Sequence, residues 1–109
     1  MTQQDRSDAA GTRRGRIALV TGGGGGIGRG IALELTTAGY RVAINDVNER
    51  AADATAEAVA EAGGEPLVVI GDVSSRTDVQ RMVDQVVMRF DRLDLLVNNA
   101  GIQVWKPLL

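Results

Sequence analysis

The chain has 109 residues, 44% hydrophobic and 24% charged, which suits one small globular domain and excludes a disordered polymer. It has no cysteine and no histidine, so disulfides, thiolate nucleophiles, Cys/His zinc sites and Ser-His or Cys-His dyads are excluded within it. A net charge of −2 gives no electrostatic footprint for nucleic acid or an anionic membrane.

Residues 1–15 are polar, carry Asp5, Arg6, Asp8, Arg13 and Arg14, and show no apolar period. They lack the apolar stretch of a secretory signal and the acid-poor amphipathic pattern of a presequence, so a flexible, solvated arm is expected. Nowhere do 18 apolar residues run together, which argues against a membrane-spanning helix and for a cytoplasmic protein. The domain itself is expected over residues 16–109.

From Arg16 the pattern alternates. Ile17-Ala18-Leu19-Val20 is a short apolar run that stops at a glycine cluster, as a buried parallel strand does. Ile27, Ile31 and Leu35 recur every four residues and predict a helix with Ile27 in its core face, closed by Gly39. Val42-Ala43-Ile44 reads as a second strand ending at Asn45-Asp46. Asn48 is placed to cap an Ala-rich helix over 49–62, which Gly63-Gly64 ends. Leu67-Val68-Val69-Ile70 is the third strand, ending at Gly71-Asp72. Ser74 or Ser75 can cap the next helix, whose apolar residues Val79, Met82, Val83, Val86, Val87 and Phe90 fall on one helical stripe. Leu93 to Val97 reads as a fourth strand, interrupted near its start by Asp94. This β-α-β-α-β-α-β order with short connections predicts an α/β fold, a doubly wound parallel sheet of Rossmann type with right-handed crossovers and strand order 3-2-1-4.

Seven of the 14 glycines, Gly22 to Gly26, Gly28 and Gly30, fall within residues 22–30, across the junction of the first strand and the first helix. Glycines there let a ligand approach the backbone, and the helix start offers unpaired N–H groups to a phosphate. Gly23-x-Gly25-x-x-Gly28 matches the dinucleotide fingerprint, and Asp46 stands at the end of the second strand, twenty residues past Gly26. A carboxylate there can accept from both ribose hydroxyls of an adenosine, whereas a 2′-phosphate would meet like charge. Val47 and Asn48, not basic residues, follow directly, so NAD is favoured over NADP. The bland alternative for Asp46 is a solvated turn residue. A P-loop is excluded because Arg29 and Gly30 stand where lysine and a hydroxyl are required. A methyltransferase would share the loop and the acid but would leave the next two signals unexplained.

Those signals are Asp72-Val73 after the third strand and Asn98-Asn99-Ala100-Gly101 after the fourth. With Thr-Gly-x-x-x-Gly-Ile-Gly at 21–28, they make the chain, from about Arg16 to its last residue, resemble the classical short-chain dehydrogenase/reductase family. The resemblance implies a Rossmann fold, a nicotinamide cofactor and hydride transfer between the nicotinamide and an alcohol or ketone. It implies that the backbone of Gly22, Gly24, Gly25, Gly26, Ile27 and Gly28 lines the cofactor, with glycines on the pyrophosphate. Asp46 would hold the adenosine ribose, Asp72 the adenine amino group, and Val73 the adenine ring. Asn99, Ala100 and Gly101 would lie along the nicotinamide-side ribose, while Asn98 would tie neighbouring strands together. A turn beyond a strand is the plainer reading of the asparagine pair. A full-length homo-oligomer, with no nucleic-acid or membrane partner, is expected.

The family's chemistry uses a serine and a tyrosine followed four residues later by lysine. The tyrosine moves the proton, the lysine lowers its pKa and holds the ribose, and the serine orients the carbonyl. Here the sole tyrosine, Tyr40, has Ile44 four residues on, and the sole lysine, Lys106, has Ile102 four residues before it. No Tyr-x-x-x-Lys can be formed, so no catalytic residue is assigned and the 109 residues are expected to be inactive alone. The chain is expected to be the first part of a longer protein, with the fourth strand left as an uncovered edge. Residues 102–109 bear a faint resemblance to acetoin/diacetyl reductases within the family. The alternatives are a non-catalytic dinucleotide-binding module and an inert fragment.

Overall fold

The structure, a computed structural model, describes residues 15–100. The sequence-based expectations for the arm at 1–14, for Gly101 and for 102–109 lie outside the described residues. Four strands, β1 (Ile17–Thr21), β2 (Arg41–Asp46), β3 (Pro66–Ile70) and β4 (Leu95–Asn98), alternate with three helices. The helices are α1 (Gly26–Thr37), α2 (Glu49–Glu61) and α3 (Arg76–Phe90). All strands are parallel, in the order β3-β2-β1-β4, as expected for the doubly wound sheet.

Strand alternation sends β1 side chains to both faces, and both are covered. On one face Ile17, Leu19, Ala43 and Val69 pack against Met82, Val86 and Phe90 of α3. On the other, Val20, Val42 and Ile44 pack against Ala32 of α1 and Ala52 and Val59 of α2. That double burial explains why β1 and β2 read as continuous apolar runs rather than alternating ones. Pro66 is tolerated because it is the first residue of an edge strand.

The helix ends follow local chemistry. Asn48 accepts from the Ala51 N–H at 3.0 Å, and Ser75, the cap of the two serines considered, accepts from the Asp78 N–H at 3.1 Å. At the end of α1 the Gly39 N–H donates to the Thr36 carbonyl and the Tyr40 N–H to the Leu35 carbonyl. This double reversal needs a left-handed residue, and Gly39 supplies it with φ 101°.

Two expectations are corrected. β4 begins at Leu95 rather than Leu93, because the Asp94 carboxylate, not a strand carbonyl, takes the Ile17 N–H at 2.8 Å. Ile27 is not a core residue: it is 75% exposed. The buried residues of α1 are Gly28 and Ala32, so the helix meets the sheet through small residues, while Ile27 sits in the first turn, past the ends of the strands.

Among the described residues β4 pairs with β1 alone, and Leu96 on it is 55% exposed. Next to it an apolar groove of about 220 Å³ runs between α3 and the sheet, with Leu19, Val79, Met82 and Leu96 among its walls.

Candidate functional site

The carboxyl ends of all four strands converge on one cleft of about 200 Å³. Gly22 comes from the end of β1, Asn45, Asp46 and Val47 from β2, Gly71, Asp72 and Val73 from β3, and Ala100 from the segment after β4. In an open parallel sheet ligands bind outside the carboxyl ends of the strands where the strand order reverses, here between β1 and β4, with α1 and α2 covering one face and α3 the other.

The glycine loop divides into an anchored half and an open half. The Gly22 carbonyl accepts from Asn99 Nδ2 at 3.2 Å, the Gly23 N–H donates to the Asn45 carbonyl at 2.8 Å, and the Gly24 N–H donates to Asp46 Oδ2 at 2.9 Å. Gly25, Gly26 and Ile27 follow at the start of α1. No side chain caps that helix, and their N–H groups have no acceptor among the described residues. A Cβ at Gly25 or Gly26 would meet nothing within 4 Å. Gly28 is the opposite case. A Cβ there would overlap the Gly22 carbonyl oxygen and lie 2.8 Å from its carbon, so only glycine lets α1 approach the β1 end this closely.

Asp46 is half-buried. Its Oδ2 takes the Gly24 N–H and its Oδ1 the Asn48 N–H at 3.0 Å, leaving one lone pair on each oxygen for a ligand. Asp72 is exposed at the far side of the cleft, and its Oδ1 accepts both the backbone N–H and the hydroxyl of Ser74. These two bonds hold its carboxyl below the usual carboxylate range. The Asp72 N–H is itself held by Asp78 Oδ2 at 2.9 Å, while Val73 is half-buried against the α3 core. On the β4 side, Asn98 Oδ1 accepts from the Thr21 hydroxyl at 3.2 Å, which ties β4 to β1, and the Ala100 N–H donates back to Thr21 Oγ1.

The structure thus brings Gly22, Asp46, Asp72, Val73 and Ala100 to one cleft, with Asn99 bonded to Gly22; Gly24, Gly25, Gly26, Ile27 and Gly28 follow in the loop and first turn of α1 but are not among the residues that line it. Gly24 faces Asp46 and the start of α2 rather than the open half of the loop. Sequence reasoning did not single out Asn45. It is 1% exposed, and its Nδ2 reaches the Val69 and Gly71 carbonyls at 3.0 Å each and the Met82 sulfur. Its only signal was a polar residue inside an otherwise apolar strand. Tyr40 stands at the amino end of β2, away from the cleft, half-buried against the α1–α2 core. Among the described residues no cluster of metal-ligating side chains occurs, and no helix is long and apolar enough to cross a membrane.

Comparison with known proteins gives this geometry a context. A family model described as short chain dehydrogenase matches residues 16–109. Hydroxynaphthalene reductase arp2 of Aspergillus fumigatus is 41% identical over 95 residues, which cover 86% of this chain and 35% of that protein. The chain thus spans about a third of the length of such curated relatives. A shorter relative, the short-chain dehydrogenase/reductase homolog YusS of Bacillus subtilis, is 43% identical over 85% of this chain and 86% of its own length. Among solved structures, an actinorhodin polyketide ketoreductase variant with NADPH superposes with a TM-score of 0.77 at 38% identity. That match covers 82% of this chain and 34% of the ketoreductase.

Proposed function

The chain belongs to the short-chain dehydrogenase/reductase family, and from that premise we propose that it is the cofactor-binding segment of an NAD-dependent oxidoreductase acting on an alcohol or ketone. The observation that carries the reading is the convergence of Gly22, Asp46, Asp72 and Val73 on one cleft at the strand ends, with the uncapped start of α1 following Gly22 in the same loop. The residues present fit a dinucleotide. The open half of the loop has no side chain to block a pyrophosphate, and its donors have no other acceptor among the described residues. Asp46 keeps acceptor capacity for two ribose hydroxyls, Asp72 keeps an unbonded oxygen for the adenine amino group, and Val73 offers apolar surface to the ring. Asn99, Ala100 and Gly101 are assigned to the nicotinamide-side ribose. When bound, NAD supplies the hydride acceptor or donor.

The preference for NAD over NADP rests on the Asp46 carboxylate, which repels a 2′-phosphate, and on the absence of a basic residue directly after it. The polyketide ketoreductase is described with NADPH, so the fold by itself does not select NAD, and the selection is assigned to Asp46. The proton-handling tyrosine, lysine and serine are assigned to sequence outside these 109 residues. A homo-oligomeric, cytoplasmic full-length enzyme belongs to the same reading, with no nucleic-acid or membrane partner. A non-catalytic dinucleotide-binding module is the second reading, favoured by the Bacillus relative of matching length.

Titration calorimetry of the chain with NADH and NADPH tests the proposal. NADH is expected to bind, NADPH to bind at least tenfold more weakly, and diketone-dependent NADH oxidation to be absent. No heat with either nucleotide would overturn dinucleotide binding, tighter NADPH binding would overturn the preference, and turnover would overturn the assignment of catalysis elsewhere.

A further inference from the structure

We infer that Asp46 is a positioning residue for the glycine loop as well as a ribose acceptor, so that the grip on the pyrophosphate depends on a negative charge one strand away. The inference uses the dinucleotide reading above only for the identity of the ligand.

The argument begins with the division of the loop. Three consecutive glycines are anchored, each to a different residue: Gly22 to the Asn99 side chain, Gly23 to the Asn45 carbonyl and Gly24 to the Asp46 carboxylate, the last two at the end of β2. The first two anchors are neutral. The third is charge-assisted and therefore the strongest of the set. Gly24 is also the last anchored residue before the open N–H groups, so its position sets where those groups point. It lies so close to its anchor that a Cβ on it would stand 2.7 Å from Asp46 Oδ2 and 2.8 Å from the Ala51 Cβ. The same carboxylate takes the Asn48 N–H with its other oxygen, at the N-cap of α2. Asp46 therefore joins the loop before α1 to the loop before α2 through its two oxygens.

Two consequences follow. The Gly24 N–H is withdrawn from the pool of phosphate donors, leaving Gly25, Gly26 and Ile27 to meet the pyrophosphate. Replacing Asp46 with a small neutral residue to admit a 2′-phosphate removes the loop's anchor too, which weakens the pyrophosphate grip for both dinucleotides.

The effect is separable from simple electrostatics because the two act with opposite signs. Removing a negative charge near an anion site strengthens anion binding if charge alone matters. Removing the anchor weakens it. The test uses the full chain as wild type, Asp46→Ala and Asp46→Asn, with two readouts. In amide hydrogen exchange followed by NMR, Asp46→Ala is expected to speed exchange at Gly24 and Asn48 at least tenfold, with the sheet amides of Leu19 and Ala43 unchanged. Asp46→Asn, which keeps one acceptor oxygen, is expected to restore protection at one of the two positions. In titrations with inorganic pyrophosphate, Asp46→Ala is expected to bind several-fold more weakly than wild type, and Asp46→Asn to recover part of the loss. Unchanged Gly24 exchange in Asp46→Ala, or tighter pyrophosphate binding by it, would overturn the inference. If the wild type binds neither pyrophosphate nor NADH, the dinucleotide reading falls, and Gly24 exchange still decides whether Asp46 anchors the loop.

Discussion

Alanine at Gly28 and alanine at Gly30 should move stability in opposite directions, although the two glycines lie two residues apart in one helix. Helix propensity alone favours alanine at both by about 1 kcal/mol. At Gly30 nothing lies within 4 Å of the new methyl group, so that gain is realised. At Gly28 the methyl carbon would overlap the Gly22 carbonyl oxygen and stand 2.8 Å from its carbon, about 0.7 Å inside the roughly 3.5 Å at which carbons normally meet. The obstacle is backbone, held by the Asn99 side chain and by a left-handed Gly22 at φ 64°, so it has little room to retreat. Overpacking against an unyielding neighbour costs about 3 kcal/mol, which leaves a net loss near 2 kcal/mol after the propensity gain. For a domain of this size each kcal/mol moves the midpoint by about 4–8 °C. Thermal melts followed by circular dichroism should therefore show Gly28→Ala falling by roughly 8–16 °C and Gly30→Ala rising by roughly 4–8 °C. Shifts of the same sign, or a Gly28→Ala midpoint at or above wild type, would refute the close-approach reasoning.

Three further outcomes are expected. Asn45→Leu removes the buried donor to the Val69 and Gly71 carbonyls and should lower stability by about 2–4 kcal/mol, read as a lower urea midpoint at unchanged slope; a shift under 1 kcal/mol would contradict the bridging role. Ser75→Ala removes the α3 cap and should cost about 1 kcal/mol, while Ser74→Ala, which leaves that cap in place, should stay within about 0.5; equal losses in thermal melts would reject the assignment. The Arg92 guanidinium, followed by the Ile17 N–H, holds the Asp94 carboxyl below its ordinary value, so its folded-state pKa lies below its unfolded one. Its stabilising contribution is therefore complete above about pH 4 and is lost as pH falls through the depressed value. Urea midpoints measured from pH 6 to pH 3 should fall less steeply for Asp94→Asn than for wild type, and identical slopes would contradict the linkage.

The element order and sheet topology were legible because each strand is a short apolar run closed by glycine, Asn or Asp, and α2 and α3 carry side-chain caps while Gly39 closes α1. Asn48 and Ser75 cap as their positions imply. Periodicity misled where contact is made by small residues. The Ile27–Ile31–Leu35 spacing marks an apolar stripe, but Gly28 and Ala32 carry the closest approach to the sheet, and a residue without a side chain leaves no hydrophobic signal. Asp94 was visible as an interruption but not as the acceptor that replaces a strand carbonyl at Ile17. The cleft residues Asp46 and Asp72 were readable because strand ends are marked locally. The anchoring of Gly24 by Asp46 was not, since it joins two loops 22 residues apart in the chain.

The strand order has a consequence for how the fold is assembled. β1 is the first strand in the chain yet the third across the sheet, and its two neighbours arrive at very different times. Its pairing with β2 closes after one short crossover, whereas Ala18 pairs with Leu95 and the Ile17 N–H finds Asp94, 77 residues away. A growing chain therefore carries an apolar β1 with one side unpaired until nearly all of the described residues have been made. Closing so distant a contact is slow because the entropy of the intervening chain must be lost first. The edge that β4 finally covers is thus the stretch most exposed to mispairing during synthesis, at the same strand that later carries the glycine loop.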